Sequence, residues 1–422
     1  MDYFKLDKNG LQAEQQRLTA EYEKYKGMGL KLDMSRGKPA PEQLDLSLGM
    51  LTVDAYKDDT GVDARNYGQP EGLPEARRFF AGLLGALPEE TIVGGNSSLQ
   101  LMYMMIELGC TMGFEKGVKP WNTCKKRKFL CPSPGYDRHF RITEGFGFEL
   151  VAVPMTESGP DMDIVEELAK DETVKGIWCV PLYSNPDGFV YSDETVRRLA
   201  SMQTASPDFK IFWDNAYAFH HLTDTPATVL NILQQCREAG NENRPLMFAS
   251  TSKVTFAGAG VAAMAASPAN LAKYLNYTFP MTIGFDKMNQ LRHVRYLQQE
   301  GGMAAHMKKH AALIVPKFDK VIEVLHARLG ECGPVASWTE PSGGYFLSFY
   351  TMKGCARRIV ELCGQAGVVL TGAGAVYPYG VDPEDRHIRI APTFPPIGEL
   401  EIAAELLCIA SRLASVEKLL AG

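Results

Sequence analysis

The sequence predicts an α/β fold with a mainly parallel central sheet, helices on both faces, and a smaller α+β domain. Between residues 51 and 300, short apolar runs alternate with amphipathic stretches, which is the pattern of parallel strands connected by helices. Towards the C-terminus, a long helix-like stretch precedes a mixture of short strands and helices. We therefore expect residues 51–300 to form the large domain and residues 301–422 to form the C-terminal small domain. Residues 1–50 are expected to contribute to the small domain.

The elements of the large domain are predicted from their periodicity. Residues 11–26 are rich in Gln, Glu and Lys and predict an exposed helix that precedes the large domain. Short apolar runs predict buried strands at residues 128–131, 149–153, 176–180, 210–213 and 246–249. Residues 161–170 and 192–203 predict helices between them, and Ser192 gives the second helix a capped start.

The C-terminal part begins with a helix-like stretch from about Met288 to Leu329, with an expected interruption near Pro316. Further elements follow in the order strand, helix, strand, strand and helix, at residues 345–350, 354–366, 368–370, 387–391 and from 398 onward. This order is that of an α+β unit.

Composition excludes several classes of protein. The net charge of −6 and the pI near 5.8 argue against a dedicated nucleic-acid binder. The nine cysteines are scattered without a CxxC pair, which favours reduced thiols and a cytoplasmic location. The first ten residues lack the apolar core of a signal peptide, and apolar stretches such as 261–266 are too short to span a membrane. The eight histidines form no ligand-spaced cluster beyond His220-His221, so no metal site is expected.

Polar residues follow the predicted strands, at the sheet edge where open parallel sheets bind ligands. A glycine- and serine-rich run opens a helix-like stretch and would present N–H groups and hydroxyls to an anion; it consists of Gly95, Asn96, Ser97 and Ser98. An ordinary helix cap is the alternative. Asn185 precedes Pro186, which keeps the backbone of Asn185 out of the helical region, so its amide can point into a crevice. An ordinary turn is the alternative.

Two charged residues carry the strongest chemical signal. Asp214 ends a strand beside Trp213, where a carboxylate is costly unless it meets a cation, although it could also cap a helix. Lys253 is the one charged residue between positions 245 and 272. Apolar surroundings lower the pKa of a lysine and favour the neutral amine that attacks an aldehyde. A structural lysine whose stem alone is buried is the alternative.

Taken in this order, these motifs resemble those of the fold-type-I pyridoxal-phosphate enzymes, specifically the class I/II aminotransferases. The resemblance spans about residues 35–395. Its most specific matches are Asn185-Pro186, Asp214 with Tyr217, and Ser250-x-Ser252-Lys253.

The resemblance implies pyridoxal 5′-phosphate as the cofactor and Lys253 as the residue that binds it and carries protons. Asp214 resembles the carboxylate that keeps the pyridine nitrogen protonated, and Tyr217 and Asn185 resemble the donors to the phenolic oxygen. Tyr136 matches the aromatic residue that stacks on the ring. The matched phosphate site consists of Gly95, Asn96, Ser97, Ser98, Ser250 and Ser252. Tyr67 matches a tyrosine that reaches the phosphate from a second subunit, which implies a homodimer with composite active sites.

The same resemblance assigns the substrate side. Arg389 lies where the family binds the α-carboxylate, together with Asn185. The segment that contains Arg36 and Gly37 matches a lid over the substrate, where Arg36 or Lys38 could meet a side-chain carboxylate. Val261 replaces the arginine that the family usually has eight residues after the lysine. The segment of residues 32–39, together with the run of residues 250–260, resembles a bacterial aspartate aminotransferase subgroup that lacks this arginine.

The resemblance implies transfer of an amino group from L-aspartate to 2-oxoglutarate in two half-reactions. The partners are therefore amino acids and 2-oxo acids, with neither nucleic acid nor membrane. Aromatic, aminoadipate-type or alanine substrates remain open. A catalytically silent regulator of aminotransferase type is disfavoured, because Lys253 is retained and we expect no room for a DNA-binding domain. A dehydrogenase, indicated weakly by the Gly-Ala run at 372–375, lacks the βαβ unit it needs.

Overall fold

The structure is a computed structural model that describes residues 2–299 and 301–422. Its α-helices are α1 (Lys8–Lys26), α2 (Pro41–Asp45), α3 (Pro74–Leu84), α4 (Ser98–Thr111), α5 (Asp137–Gly145), α6 (Met162–Leu168), α7 (Asp193–Ser201), α8 (Ile232–Glu238), α9 (Pro268–Thr278), α10 (Lys287–Gln299), α11 (Gly302–Leu329), α12 (Ala356–Gln365) and α13 (Ile397–Ala421). Its strands are β1 (Leu32–Asp33), β2 (Thr91–Val93), β3 (Lys128–Ser133), β4 (Glu149–Thr156), β5 (Gly159–Pro160), β6 (Val174–Cys179), β7 (Lys210–Asp214), β8 (Pro245–Ser250), β9 (Ala262–Ala266), β10 (Ala336–Trp338), β11 (Leu347–Thr351), β12 (Val368–Val369) and β13 (His387–Ile390). No helix in this described part is long and apolar enough to cross a membrane.

The central sheet has eight strands in the order β2-β9-β8-β7-β6-β3-β4-β5. The strands from β8 to β4 are parallel to one another, whereas β9 is antiparallel to both of its neighbours and β5 is antiparallel to β4. The mainly parallel sheet that the sequence predicts is thus confirmed. The sequence analysis missed β9, because four of its five residues are alanine, which has a low propensity for strands.

Both faces of this sheet are buried. Along β7, Ile211 and Trp213 belong to one apolar layer, and Phe212 belongs to the other. The first layer also contains side chains of α3, α6, α7, α8 and α10, and the second contains side chains of α4, α5 and α9. Burial on both faces explains why the strands appear in the sequence as continuous apolar runs.

A third apolar cluster joins the two ends of the chain. It contains side chains of α1, α11, α12 and α13 around the three-stranded sheet β10-β11-β13. Strand β1 pairs in parallel with β12. The smaller α+β unit built from both terminal segments is therefore confirmed, whereas division of the chain at residues 50 and 300 stays a prediction. Helix α1 is not simply exposed, because Leu11, Leu18 and Tyr22 are buried on this unit.

The prediction of a helix interruption near Pro316 was wrong. Pro316 lies within α11, and the long helical stretch divides instead between α10 and α11. Gly301 is the N-cap of α11 and has a left-handed backbone (φ 78°), a conformation that a regular α-helix does not contain. Residue 300, the expected domain boundary, lies outside the described residues.

Candidate active site

A cavity of about 190 Å³ lies at the carboxyl ends of β7 and β8, beside the first turn of α4. This cavity contains most of the side chains that were selected from the sequence. Its walls include Ser97, Ser98, Tyr136, Asn185, Asp214, Tyr217, Ser250, Ser252 and Lys253. The apolar part of the wall consists of Leu99, Met102, Val180 and Ala216.

Lys253 follows β8, and its Nζ lies 5.0 Å from the centroid of the Tyr217 ring. Burial lowers the pKa of the Lys253 amine, while the negative charge of Asp214 opposes part of this effect and Arg389 adds to it. A lowered pKa increases the fraction of neutral amine, the form that attacks a carbonyl carbon.

Asp214 ends β7 and is 2% exposed. Its Oδ2 lies 3.0 Å from Nε2 of His139, whose ring stacks on Trp178 at 4.4 Å between centroids. Its Oδ1 is buried and has no hydrogen-bond partner among the described residues. A buried carboxylate oxygen without a partner is costly, so this atom fits a cationic group bound in the cavity.

His139 is a site residue that the sequence analysis missed. It lies on α5, three residues after Tyr136, and the rings of the two residues meet edge to face at 4.9 Å. Its partner Asp214 is 75 residues away in the chain. Its position, three residues after Tyr136 and within the first turn of the helix that Tyr136 caps, was the available signal.

The loop before α4 lies against the loop after β8. Ser97 caps α4 by accepting the Gln100 N–H at 3.3 Å, and the other N–H groups of this first turn have no intrahelical acceptor. Ser250 Oγ donates to Ser252 Oγ at 3.2 Å, and Ser252 Oγ donates to the Asn96 carbonyl at 3.4 Å. The two loops are therefore joined by hydroxyl groups at a helix N-terminus, an arrangement that suits a phosphate.

Glycines and a valine shape this corner. Gly95 has a left-handed backbone (φ 72°). A Cβ on Gly260 would lie 2.9 Å from the Asn96 carbonyl oxygen, so the two loops approach closely only because Gly260 has no side chain. Val261 is buried, and its N–H donates to Thr251 Oγ1 at 2.9 Å. The residues that line the cavity include no arginine.

Both tyrosines of the cavity are neutral at neutral pH. Burial raises the pKa of Tyr136 to about 12 and raises the pKa of Tyr217 well above its ordinary value. Their hydroxyl groups can therefore donate hydrogen bonds to a bound anionic oxygen.

Arg389 approaches the cavity from β13. Its Nη1 donates to Asn185 Oδ1 at 3.3 Å and lies 3.5 Å from Oδ1 of Asp137, and its Nη2 donates to the Ser35 carbonyl at 3.4 Å. The guanidinium carbon lies 4.6 Å from the centroid of the Phe346 ring. The sequence analysis missed Asp137 as a neighbour of Arg389. Asp137 is the first residue of α5, and an acidic residue at that position indicates only the start of a helix.

The remaining predicted residues lie outside the cavity wall. Arg36 is exposed. Gly37 lies against Phe346 so closely that a Cβ would come within 2.3 Å of the ring, which places the segment containing both residues beside Arg389. Tyr67 is 82% exposed. The roles of these three residues stay predictions.

Comparison with known proteins assigns the family. A family model described as aspartate amino-transferase matches residues 6–422. A Mycolicibacterium smegmatis protein assigned only as an aminotransferase is 49% identical over 426 residues, which cover 100% of this chain and 99% of the relative. An aspartate aminotransferase of Corynebacterium glutamicum is 46% identical over 400 residues, covering 94% of this chain and 92% of the relative.

The fold agrees with this assignment. The crystal structure of an aspartate transaminase from Corynebacterium glutamicum superposes with a TM-score of 0.96 at 44% identity, and the match covers 99% of both chains. The match spans both the eight-stranded sheet and the smaller α+β unit. The protein is therefore a member of the aspartate aminotransferase family.

Proposed function

We propose that this protein uses pyridoxal 5′-phosphate to transfer the amino group of L-aspartate to 2-oxoglutarate. The observation that carries the proposal is the pairing of two groups in one cavity. The amine of Lys253 has a lowered pKa, and the buried Oδ1 of Asp214 has no partner among the described residues. The 46% identity to an aspartate aminotransferase supports L-aspartate as the amino donor.

The residues present fit the cofactor. Asp214 offers a carboxylate oxygen to a protonated ring nitrogen, and His139 holds the other oxygen at 3.0 Å. Tyr136 provides an aromatic wall. The start of α4, with Ser250 and Ser252, offers N–H and hydroxyl donors to the phosphate, so the phosphate site needs no arginine at position 261.

When bound, the cofactor supplies a ring that stabilises the negative charge left at the substrate Cα after proton removal. Lys253 would remove the proton from the substrate Cα and would transfer it to C4′ of the cofactor, because its amine has a lowered pKa and lies in the cavity. Asn185 and Tyr217 would donate hydrogen bonds to the cofactor's phenolic oxygen, and the raised pKa keeps Tyr217 protonated.

Arg389 and Asn185 orient the substrate through its α-carboxylate. A guanidinium binds a carboxylate in a bidentate, planar geometry. Asp137 already places a carboxylate oxygen 3.5 Å from Nη1 of Arg389, which supports a carboxylate-accepting position there. We assign Arg36, beside Gly37 in the adjoining segment, to the distal carboxylate of aspartate.

A homodimer completes the proposal. Three apolar side chains are largely exposed: Tyr67 (82%), Phe279 (83%) and Ile283 (60%). Their segments are in contact, since Gly284 lies so close to Gly68 that a Cβ on Gly284 would be 2.5 Å from the Gly68 carbonyl oxygen. Neighbouring exposed apolar side chains of this kind favour a protein interface. A second copy of the chain would bring its Tyr67 to the phosphate site.

The test is an absorption spectrum of the purified protein, reconstituted with pyridoxal phosphate, beside that of Lys253→Ala. We expect a visible band in the wild type that moves to the near ultraviolet when L-aspartate is added without a keto acid. The variant should show neither the lysine-dependent band nor the response. A band that responds to another amino acid but not to aspartate would overturn the substrate, and no band would overturn the cofactor.

A further inference from the structure

A buried polar cluster lies behind Lys253, on the side away from the cavity, and has no part in the proposed chemistry. Its side chains come from α2, the loop after β7, α11 and the segment before β11, and each is at most 4% exposed: Gln43, His220, His306, His310 and Tyr345. Buried polar groups cost free energy unless they are satisfied, and a satisfied network fixes one arrangement of its members. The partners of this cluster therefore indicate what it holds in place.

One end of the cluster holds the main chain at Lys253. The Lys253 carbonyl accepts hydrogen bonds from His220 Nε2 at 3.2 Å and from the Tyr345 hydroxyl at 3.3 Å. The next carbonyl, that of Val254, accepts from His306 Nε2 at 2.7 Å. Because Nε2 of His220 faces a carbonyl oxygen, that nitrogen carries the proton. Burial lowers the pKa of His220 to about 3, so the ring is neutral.

The other end holds the N-terminal segment. Gln43 is on α2, directly after residues 33–40, and its Oε1 accepts the Ala40 N–H at 3.0 Å. Its Nε2 donates to the Tyr345 hydroxyl at 2.9 Å and to Nδ1 of His310 at 3.1 Å. The same N-terminal segment meets Arg389 through the Ser35 carbonyl.

Tyr345 is the link between the two ends. Its hydroxyl accepts from Gln43 and donates to the Lys253 carbonyl, so a single oxygen atom joins the segment that contains Arg36 to the lysine. We propose that Gln43 and Tyr345 are positioning residues, which couple the placement of the N-terminal segment to the orientation of Lys253. This inference rests on the proposed function of Lys253 and adds residues that lie outside the cavity.

The experiment measures how fast the apoprotein captures pyridoxal phosphate, followed by stopped-flow absorbance of the lysine-bound form. Tyr345→Phe removes the hydroxyl that binds both Gln43 and the Lys253 carbonyl, and it should slow capture about 5–10-fold, since the lysine then samples unproductive orientations. Gln43→Leu should slow it to a similar extent, although Gln43 touches neither Lys253 nor the cavity. The double variant should be no slower than the slower single variant, because both break the same chain of hydrogen bonds.

Tyr22→Phe is the matched control. Tyr22 is also a buried tyrosine whose hydroxyl donates to a main-chain carbonyl, that of Leu362 at 2.9 Å, but it lies on α1. We expect wild-type capture rates from it. A second pair tests the other donor: His220→Leu should slow capture, and His220→Gln, which can place an amide N–H near the position of Nε2, should restore at least half of the rate.

The possible results separate the two hypotheses. If the wild type captures the cofactor but Gln43→Leu and Tyr345→Phe match Tyr22→Phe, the coupling is wrong and the proposed function stands. Multiplicative losses in the double variant would also overturn the coupling, since they mean independent effects. If the wild type captures no cofactor through Lys253, the proposed function itself fails. Comparable urea midpoints for all variants show that the losses do not come from unfolding.

Discussion

Asp187 is a buried carboxylate two residues after Asn185 and 1% exposed. Its Oδ1 accepts hydrogen bonds from the hydroxyls of Ser348 and Tyr350, both at 2.7 Å, and its Oδ2 has no partner among the described residues. The nearby imidazole of His387 provides no counter-charge, because burial lowers its pKa to about 3. Burial accordingly raises the pKa of Asp187 from its usual 3.8 to about 6.

This raised pKa predicts a pH dependence of stability. The folded state binds the Asp187 proton more tightly than the unfolded state does. The stability from this group is therefore fully present below pH 3.8 and is lost as the pH rises through 6. Relative to Asp187→Asn, the free energy of unfolding of the wild type should fall between pH 4 and pH 7 by up to about 3 kcal/mol. Urea unfolding across this range measures it.

Asp171→Asn is the control for that measurement. The N–H and hydroxyl groups of Thr173 hold the pKa of Asp171 at about 2, so its effect should stay constant between pH 5 and pH 8. Equal pH dependence in the wild type and Asp187→Asn would contradict the buried-carboxylate interpretation.

The sequence analysis selected Lys253 and Asp214 by residue type and strand position, and both line the cavity. It did not predict His139, Asp137 or Gln43, because each acts through a partner that is distant in the chain. Asp214 lies 75 residues from His139, and Tyr345 lies 302 residues from Gln43. Only the folded chain brings such pairs together.

At the scale of elements, the segment of residues 33–40 is held on one side by β12 and on the other by Phe346. This arrangement predicts a role for Arg36 that differs between substrates. Arg36→Ala should raise the KM for L-aspartate about 10-fold, because it removes one charge-assisted hydrogen bond to the distal carboxylate. The KM for L-alanine, which has no such carboxylate, should be nearly unchanged. Steady-state kinetics with both amino acids measures this difference.

Lys31→Ala, a change of another exposed cation just before β1, is the matched control and should affect neither amino acid. Equal effects of Arg36→Ala on aspartate and alanine would assign Arg36 a structural role in its own loop.

The strands were predicted well where the sequence contains a continuous run of apolar residues, most of them larger than alanine. Strands β3, β4, β6, β7 and β8 all coincide with the predicted apolar runs. Strand β9 did not, because four of its five buried residues are alanine, which has a low propensity for strands. The division between α10 and α11 was misplaced because Pro316 is a stronger signal in the sequence than the glycine at 301, whose backbone conformation decides the outcome.

At the scale of the whole molecule, the proposed homodimer with Tyr67 crossing to the partner is testable by hybrid dimers. Lys253→Ala and Tyr67→Ala chains should each have low activity alone. Co-expressed, about half of the dimers are mixed, and each mixed dimer contains one site with both residues intact, so about a quarter of wild-type activity should return. Activity that does not rise above the average of the two variants would show that Tyr67 serves its own subunit.

Arg389 and Lys253 are positioned by different sheets. Arg389 lies on β13, paired opposite Ser348 in the three-stranded sheet, whereas Lys253 follows β8 of the eight-stranded sheet. The groups assigned to the cofactor come from the larger sheet and its loops, and the groups assigned to the substrate carboxylates come mainly from the smaller unit. Mutations in the smaller unit can therefore broaden or narrow the range of accepted amino acids while the catalytic chemistry is inherited unchanged.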